Sequence, residues 1–194
     1  RLGKRTDGTS PLIKDFVPLA ALEDLVFGGW DVFEDDVYAA ASHAGVLDQK
    51  TLDALKEPLS KIKPMKAVFD RNYVKRLEGS HVKQAATKWE LAEMAREDIR
   101  NFKADNGCDR LVMIWCGSTE IFLTPTAVHD TIETFEQGLK DNDEGIAPSM
   151  IYAYAALMEK VPYLNGAPNL SVDMPCMLEL ADRQGVPVGG KDFK

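Results

Sequence analysis

The feature that most constrains this chain is a long amphipathic segment running directly into a short apolar one. Between residues 80 and 106, Val82, Ala85, Trp89, Ala92, Ala95, Ile99 and Phe102 recur every three or four positions. That spacing puts them on one face of a helix. The pattern predicts a helix with Ser80 as its N-cap and Asn106-Gly107 as its stop. Leu111 to Trp115 follows as unbroken apolar sequence. A run of that length suits a central parallel strand covered on both faces.

The second half repeats the alternation. A helix is expected from about Ala127 to Leu139, and another from Pro148, well placed in a first turn, to Met158. "VPYLNGAPN" reads as strand and turn, Met174 to Arg183 as a helix closed by Gln184-Gly185, and Val186-Pro187-Val188 as a last strand. Strand, helix and strand in turn are the signature of a parallel sheet with covering helices. In the first half, residues 1–15 read as loop and Leu25-Val26-Phe27 as a strand opening into Gly28-Gly29. Two helices follow, the second interrupted near Pro58, and then "PMKAVFD", which reads as extended. No internal repeat or linker divides the chain, so residues 1–194 read as one α/β domain.

Lys and Arg number 23 and Asp and Glu 31, a formal net charge of −8. That balance argues against nonspecific nucleic-acid or membrane-surface binding. The three cysteines, Cys108, Cys116 and Cys176, are odd in number and have no metal-ligand spacing. They suit a reducing, cytoplasmic setting. No apolar run approaches the roughly 18 residues of a membrane span. His43, His81 and His129 lie far apart without an i,i+4 partner, so no metal site or catalytic triad is argued from them.

Four expected strand ends carry glycine: Gly28-Gly29 before Asp31, Gly117-Ser118-Thr119 after Cys116, Asn165-Gly166, and Gly189-Gly190. Glycine lets a backbone pass close to a ligand, and small hydroxyls and carboxylates hold ribose oxygens. Each break alone is also what any α/β protein uses to turn. Four on one sheet edge point to a ligand crevice, although the GxGxxG fingerprint of dinucleotide sites is absent from these residues. Lys191 and Lys194 beside Asp192 read either as solvated cations or, in a closed site, as groups stabilising an oxyanion.

Read together, these segments resemble the myo-inositol-1-phosphate synthase (inositol-3-phosphate synthase) family in its bacterial form. "DLVFGGWDVFEDDVYAAA" is similar to its GGWD segment, and "DRLVMIWCGSTEIF" to the strand leading to its W-x-x-S/N-T-E turn. "APSMIYAYAAL", "VPYLNGAPNLSVDMP" and "GGKDFK" are similar, in order, to its S-P-S, Y-I-N-G-S-P-Q-N-T and G-x-D-[FL]-K segments. The resemblance is collinear from about Ile13 onward. It implies a Rossmann-like parallel sheet flanked by helices, lacking the first βα unit that holds the family's Gly-rich fingerprint. The missing initiator methionine and the ending on Lys194 read accordingly as those of an internal fragment.

The resemblance further implies NAD as cofactor and glucose 6-phosphate as substrate. The product is myo-inositol 1(3)-phosphate, formed by internal oxidation, aldol cyclisation and reduction. Lys194 matches the active-site lysine of the family motif and Asp192 the acid beside it. Gly29, Asp31, Cys116, Gly117, Ser118, Thr119, Ser149, Asn165 and Gly166 fall on the cofactor-binding segments. A homotetramer is implied as well. Ser118 stands where the family often has Asn, and the shorter "NGAPNLSVD" leaves the role of Asn169 open. By itself the fragment is expected to be inactive. Two other readings stay open: a noncatalytic NAD-binding module, and an unrelated Rossmann-type oxidoreductase that exports its reducing equivalents.

Overall fold

The computed structural model describes residues 3–193. Among them run β1 (Trp30–Asp31), α1 (Val37–Ala44), α2 (Gln49–Leu59), β2 (Met65–Lys66), α3 (Lys88–Asp105) and β3 (Met113–Trp115). They are followed by α4 (Ile132–Asp141), α5 (Pro148–Met158), β4 (Tyr163–Asn165), α6 (Pro175–Gln184) and β5 (Val188–Gly190). Every strand pairing is parallel, which is the expected α/β class. The strands fall into two sheets rather than one: β1 with β2, and β3, β4 and β5 in that order.

The core is built around α5. Its sequence, PSMIYAYAALM, is apolar nearly all round, and Pro148 through Leu157 are buried, as befits a helix enclosed on every side. It packs against α3, α6 and β4. The stripe of α3 supplies Ala92, Ala95 and Ile99, α4 supplies Ile132, Phe135 and Leu139, and α6 supplies Cys176, Met177 and Leu180. The small alanines of α3 and α5 let these two backbones approach closely.

Four sequence expectations shift. The long helix begins at Lys88, not Ser80, because Thr87 caps the Glu90 N–H and Glu90 reaches back in a capping box. Val82 and Ala85 therefore lie outside it, and Val82 bridges Ala67 instead. Leu25–Phe27 is not a strand, and Gly28-Gly29 precede β1 rather than end one. Gly189 and Gly190 belong to β5, paired with Leu164 and Asn165. Lastly, β3 is an edge strand with one open face. Its Ile114, in register with Leu164, is 49% exposed, whereas Met113 and Trp115 turn toward the core. The described helices cover only one face of this sheet at that edge.

Candidate functional site

A cavity of about 640 Å³ lies between the two sheets, lined from one side by Gly28 to Phe33 and from the other by Leu111 to Ser118. Its position is set by aromatic packing. The Tyr152 ring, from α5, lies between Trp30 of β1 and Trp115 of β3, at centroid distances of 4.9 and 5.6 Å. The Tyr152 hydroxyl accepts the Val68 N–H at 2.7 Å, and burial pushes its pKa well above the usual phenol range. The indole Nε1–H of Trp30 donates to Asp98 Oδ2 on α3 at 2.6 Å. The same oxygen takes the Lys83 ammonium at 2.7 Å. The first sheet thus hangs from the long helix by a nearly buried ion pair.

Of the residues singled out in the sequence, Gly29, Asp31, Cys116, Gly117 and Ser118 meet at this cavity. Asp31 is exposed, with Oδ1 accepting the Phe33 N–H at 3.0 Å. A side chain on Gly29 would meet nothing within 4 Å, so there the backbone borders open space. Thr119 faces a smaller neighbouring cavity of about 360 Å³, shared with Ser118, Glu120 and Tyr73.

Ser149, Asn165 and Gly166 lie outside the cavity lining and build its support. The Asn165 side chain is closed on its own turn: Nδ2 donates to the Asn169 carbonyl at 2.7 Å and Oδ1 accepts the Ala167 N–H at 3.0 Å. The Gly166 N–H donates to the Trp115 carbonyl at 2.9 Å, extending the β3–β4 pairing. A Cβ on Gly166 would stand 2.2 Å from the Phe193 ring and 2.7 Å from the Trp115 carbonyl oxygen. Asp192 is exposed in a left-handed conformation, φ 66°. Lys194 lies outside the described residues. Before them, the Lys191 ammonium pairs with Asp173 Oδ2 at 2.8 Å. Partial burial pushes the Asp173 carboxyl up, but Lys191 and the Ser171 N–H outweigh it and hold the carboxyl below its ordinary range.

Behind the turn is a buried polar cluster that sequence reasoning missed. Glu120, only 5% exposed, accepts the Ser149 N–H on Oε1 at 2.9 Å and the Ser149 hydroxyl on Oε2. Asn169 Nδ2 donates to Glu120 Oε2 at 3.1 Å and to Ser149 Oγ at 3.0 Å. The available signal was a carboxylate set directly before Ile121-Phe122-Leu123, an apolar neighbourhood for a charge.

The cavity suits a dinucleotide. Apolar walls from Val32, Met113 and Trp115 take flat rings, Gly29 and Gly117 give close backbone approach, and Asp31 and Ser118 offer partners for ribose oxygens. Among the described residues no His, Cys, Asp and Glu group forms a metal site. No described helix is long and apolar enough to cross a membrane.

Comparison with known proteins gives the family and the fold. Residues 1–194 match the family model described as myo-inositol-1-phosphate synthase, an NAD-binding family. The chain is 53% identical over 184 residues to inositol-3-phosphate synthase 1 of Bacteroides thetaiotaomicron, covering 94% of this chain and 43% of that protein. It is 39% identical to the inositol-3-phosphate synthase of Trypanosoma brucei brucei, covering 96% of this chain and 37% of that one. The chain therefore spans less than half the length of these curated relatives. A crystal structure of inositol-3-phosphate synthase from Caenorhabditis elegans superposes with a TM-score of 0.88 at 28% identity, over 100% of this chain and 39% of that one. A myo-inositol-1-phosphate synthase-related protein from Thermotoga maritima, TM-score 0.55 at 19% identity over 82% of this chain and 41% of that one, shares the fold.

Proposed function

The chain belongs to the myo-inositol-1-phosphate synthase family, with NAD as its cofactor, and from that premise we propose that it is the NAD-binding part of an enzyme that converts glucose 6-phosphate to myo-inositol 1(3)-phosphate. The observation that carries the proposal is the convergence of Gly29 and Asp31 from one sheet, and Cys116 to Ser118 from the other, on one cavity.

In this reading Asp31 holds a ribose hydroxyl of the cofactor, the backbone at Gly29, Gly117 and Ser118 forms its bed, and Thr119 continues the turn toward the smaller cavity. Ser149, Asn165 and Gly166 keep that bed in place. When bound, NAD would supply a hydride acceptor that returns its hydride, so the isomerisation would involve no net redox change. Lys194 supplies a cation where enolate and alkoxide charge develops, with Asp192 the acid of the same sequence motif. The working form is a cytoplasmic homotetramer in inositol and phospholipid biosynthesis.

The test is to incubate the full-length protein with NAD and glucose 6-phosphate while following inositol phosphate and NADH together. Inositol phosphate without accumulating NADH is the expected result. Steady accumulation of NADH would instead support an oxidoreductase that exports its electrons. Cofactor binding with no product would support a noncatalytic module.

A further inference from the structure

We infer that Glu120 is a positioning residue for the cofactor turn: through Ser149 and Asn169 its carboxylate locks residues 116–119 to the start of α5 and to the loop after β4. The inference rests on the functional reading above for its consequence, and on geometry for its substance.

Three separate chain segments meet at this carboxylate, which bonds both Ser149 and Asn169 from the end of the turn. Glu120 ends the turn that lines the cavity. Ser149 is the second residue of α5, and Asn169 closes the loop that starts at Asn165. The cap of α5 explains why a carboxylate is used. Ala147 stands at the N-cap and has no side chain to receive the first amides. Glu120 Oε1 takes the Ser149 N–H in its place, and a negative charge there also meets the positive end of the helix dipole. Oε2 is shared by the Ser149 hydroxyl and Asn169 Nδ2. One nearly buried carboxylate at the edge of the cavity lining thus ties three segments together. The Asn169 Oδ1 atom, buried without a partner among the described residues, marks the acceptor the cluster holds in reserve.

The test uses full-length protein carrying Glu120→Ala, Glu120→Gln or Asn169→Ala. Without cofactor, hydrogen exchange at the Ser149, Ile121 and Gly166 amides, all bonded in this region, is expected to speed at least tenfold in Glu120→Ala while α3 keeps its protection. NAD affinity should fall about tenfold, with kcat at saturating NAD within threefold of wild type. Glu120→Gln should recover to within threefold, since the Gln oxygen still accepts from Ser149 and a turned Asn169 amide can present Oδ1 to the Gln NH₂. If Glu120→Ala does not accumulate, Asn169→Ala should loosen the same amides and weaken NAD in the same direction.

Uniform loss of protection, or Gln as weak as Ala, would overturn the inference. So would a collapse of kcat with NAD affinity unchanged. A wild-type protein that binds no NAD would overturn the functional reading instead, and the cofactor-free exchange data would still decide whether Glu120 holds the turn.

Discussion

The carboxylate of Glu120 shows how one side chain couples the site to stability. Burial pushes its pKa above the ordinary glutamate range, although the Ser149 hydroxyl and N–H both oppose that shift. The folded state then binds the proton more tightly than the unfolded chain. Stability contributed by this group is present at low pH and is lost as pH rises from the unfolded pKa through the folded one. Glu120→Gln removes that dependence. Urea midpoints of wild type and variant, compared from the acid side of the glutamate range to neutral pH, should move steadily in the variant's favour. A difference independent of pH would show that the donors cancel the burial. At Gly166 the constraint is steric. A methyl there meets the Trp115 carbonyl at 2.7 Å, and backbone cannot swing aside as the Phe193 ring can. Gly166→Ala should cost about 1–3 kcal/mol in chemical denaturation, as overpacking does. Gly117, Ser118 and Asp31 were legible in the sequence because their residue types suit a strand end. Glu120 and Asn169 were not, because their roles depend on partners 29 and 49 positions away.

At the scale of elements, local chemistry overruled periodicity where the two met. The apolar spacing from Val82 fits a helix, yet α3 starts at Lys88. Glu90 Oε2 accepts the Ala86 and Thr87 N–H groups at 2.7 and 3.2 Å, and Thr87 Oγ1 accepts the Glu90 N–H at 3.1 Å. Upstream, the backbone is already used: Lys83 N–H donates to Ala67 and His81 N–H to Val32. Thr87→Ala should therefore destabilise the protein by about 1 kcal/mol, seen as a lowered urea midpoint with an unchanged slope. Likewise β5 slides to Val188–Gly190, since Pro187 has no N–H to give to a ladder. The helix α5 was read with its observed bounds, because Pro148 at the first turn and an apolar run agree on one answer.

At the scale of the whole molecule, the two sheets are joined through α3 and α5 rather than by strand pairing. Lys83, whose side chain is 6% exposed, holds Asp98, which also receives Trp30. Lys83→Ala leaves that carboxylate with one donor in a largely buried setting, and should cost about 2 kcal/mol, discounted from the usual range for a broken buried pair because Asp98 retains some solvent. Since Trp30 borders the cavity, NAD affinity of the full-length protein should fall with it. Unchanged affinity alongside lost stability would show that the β1 side of the cavity is held by other contacts.

The sequence by itself determined the class of this protein and most of its helices, because hydrophobic period, proline and capping residues act over a few neighbouring positions. Its five ordered motifs also carried the family, since residue types at a strand end follow from what a backbone must do there. Only the tertiary structure decided that the strands form two sheets around one cavity. It alone placed Gly28-Gly29 before a strand instead of after one, and put a buried glutamate behind the turn. These outcomes rest on pairings between distant segments, such as Trp30 with Asp98 and Glu120 with Ser149. A local pattern carries no record of which distant partner satisfies a buried donor or charge, and the fold settles that when it closes.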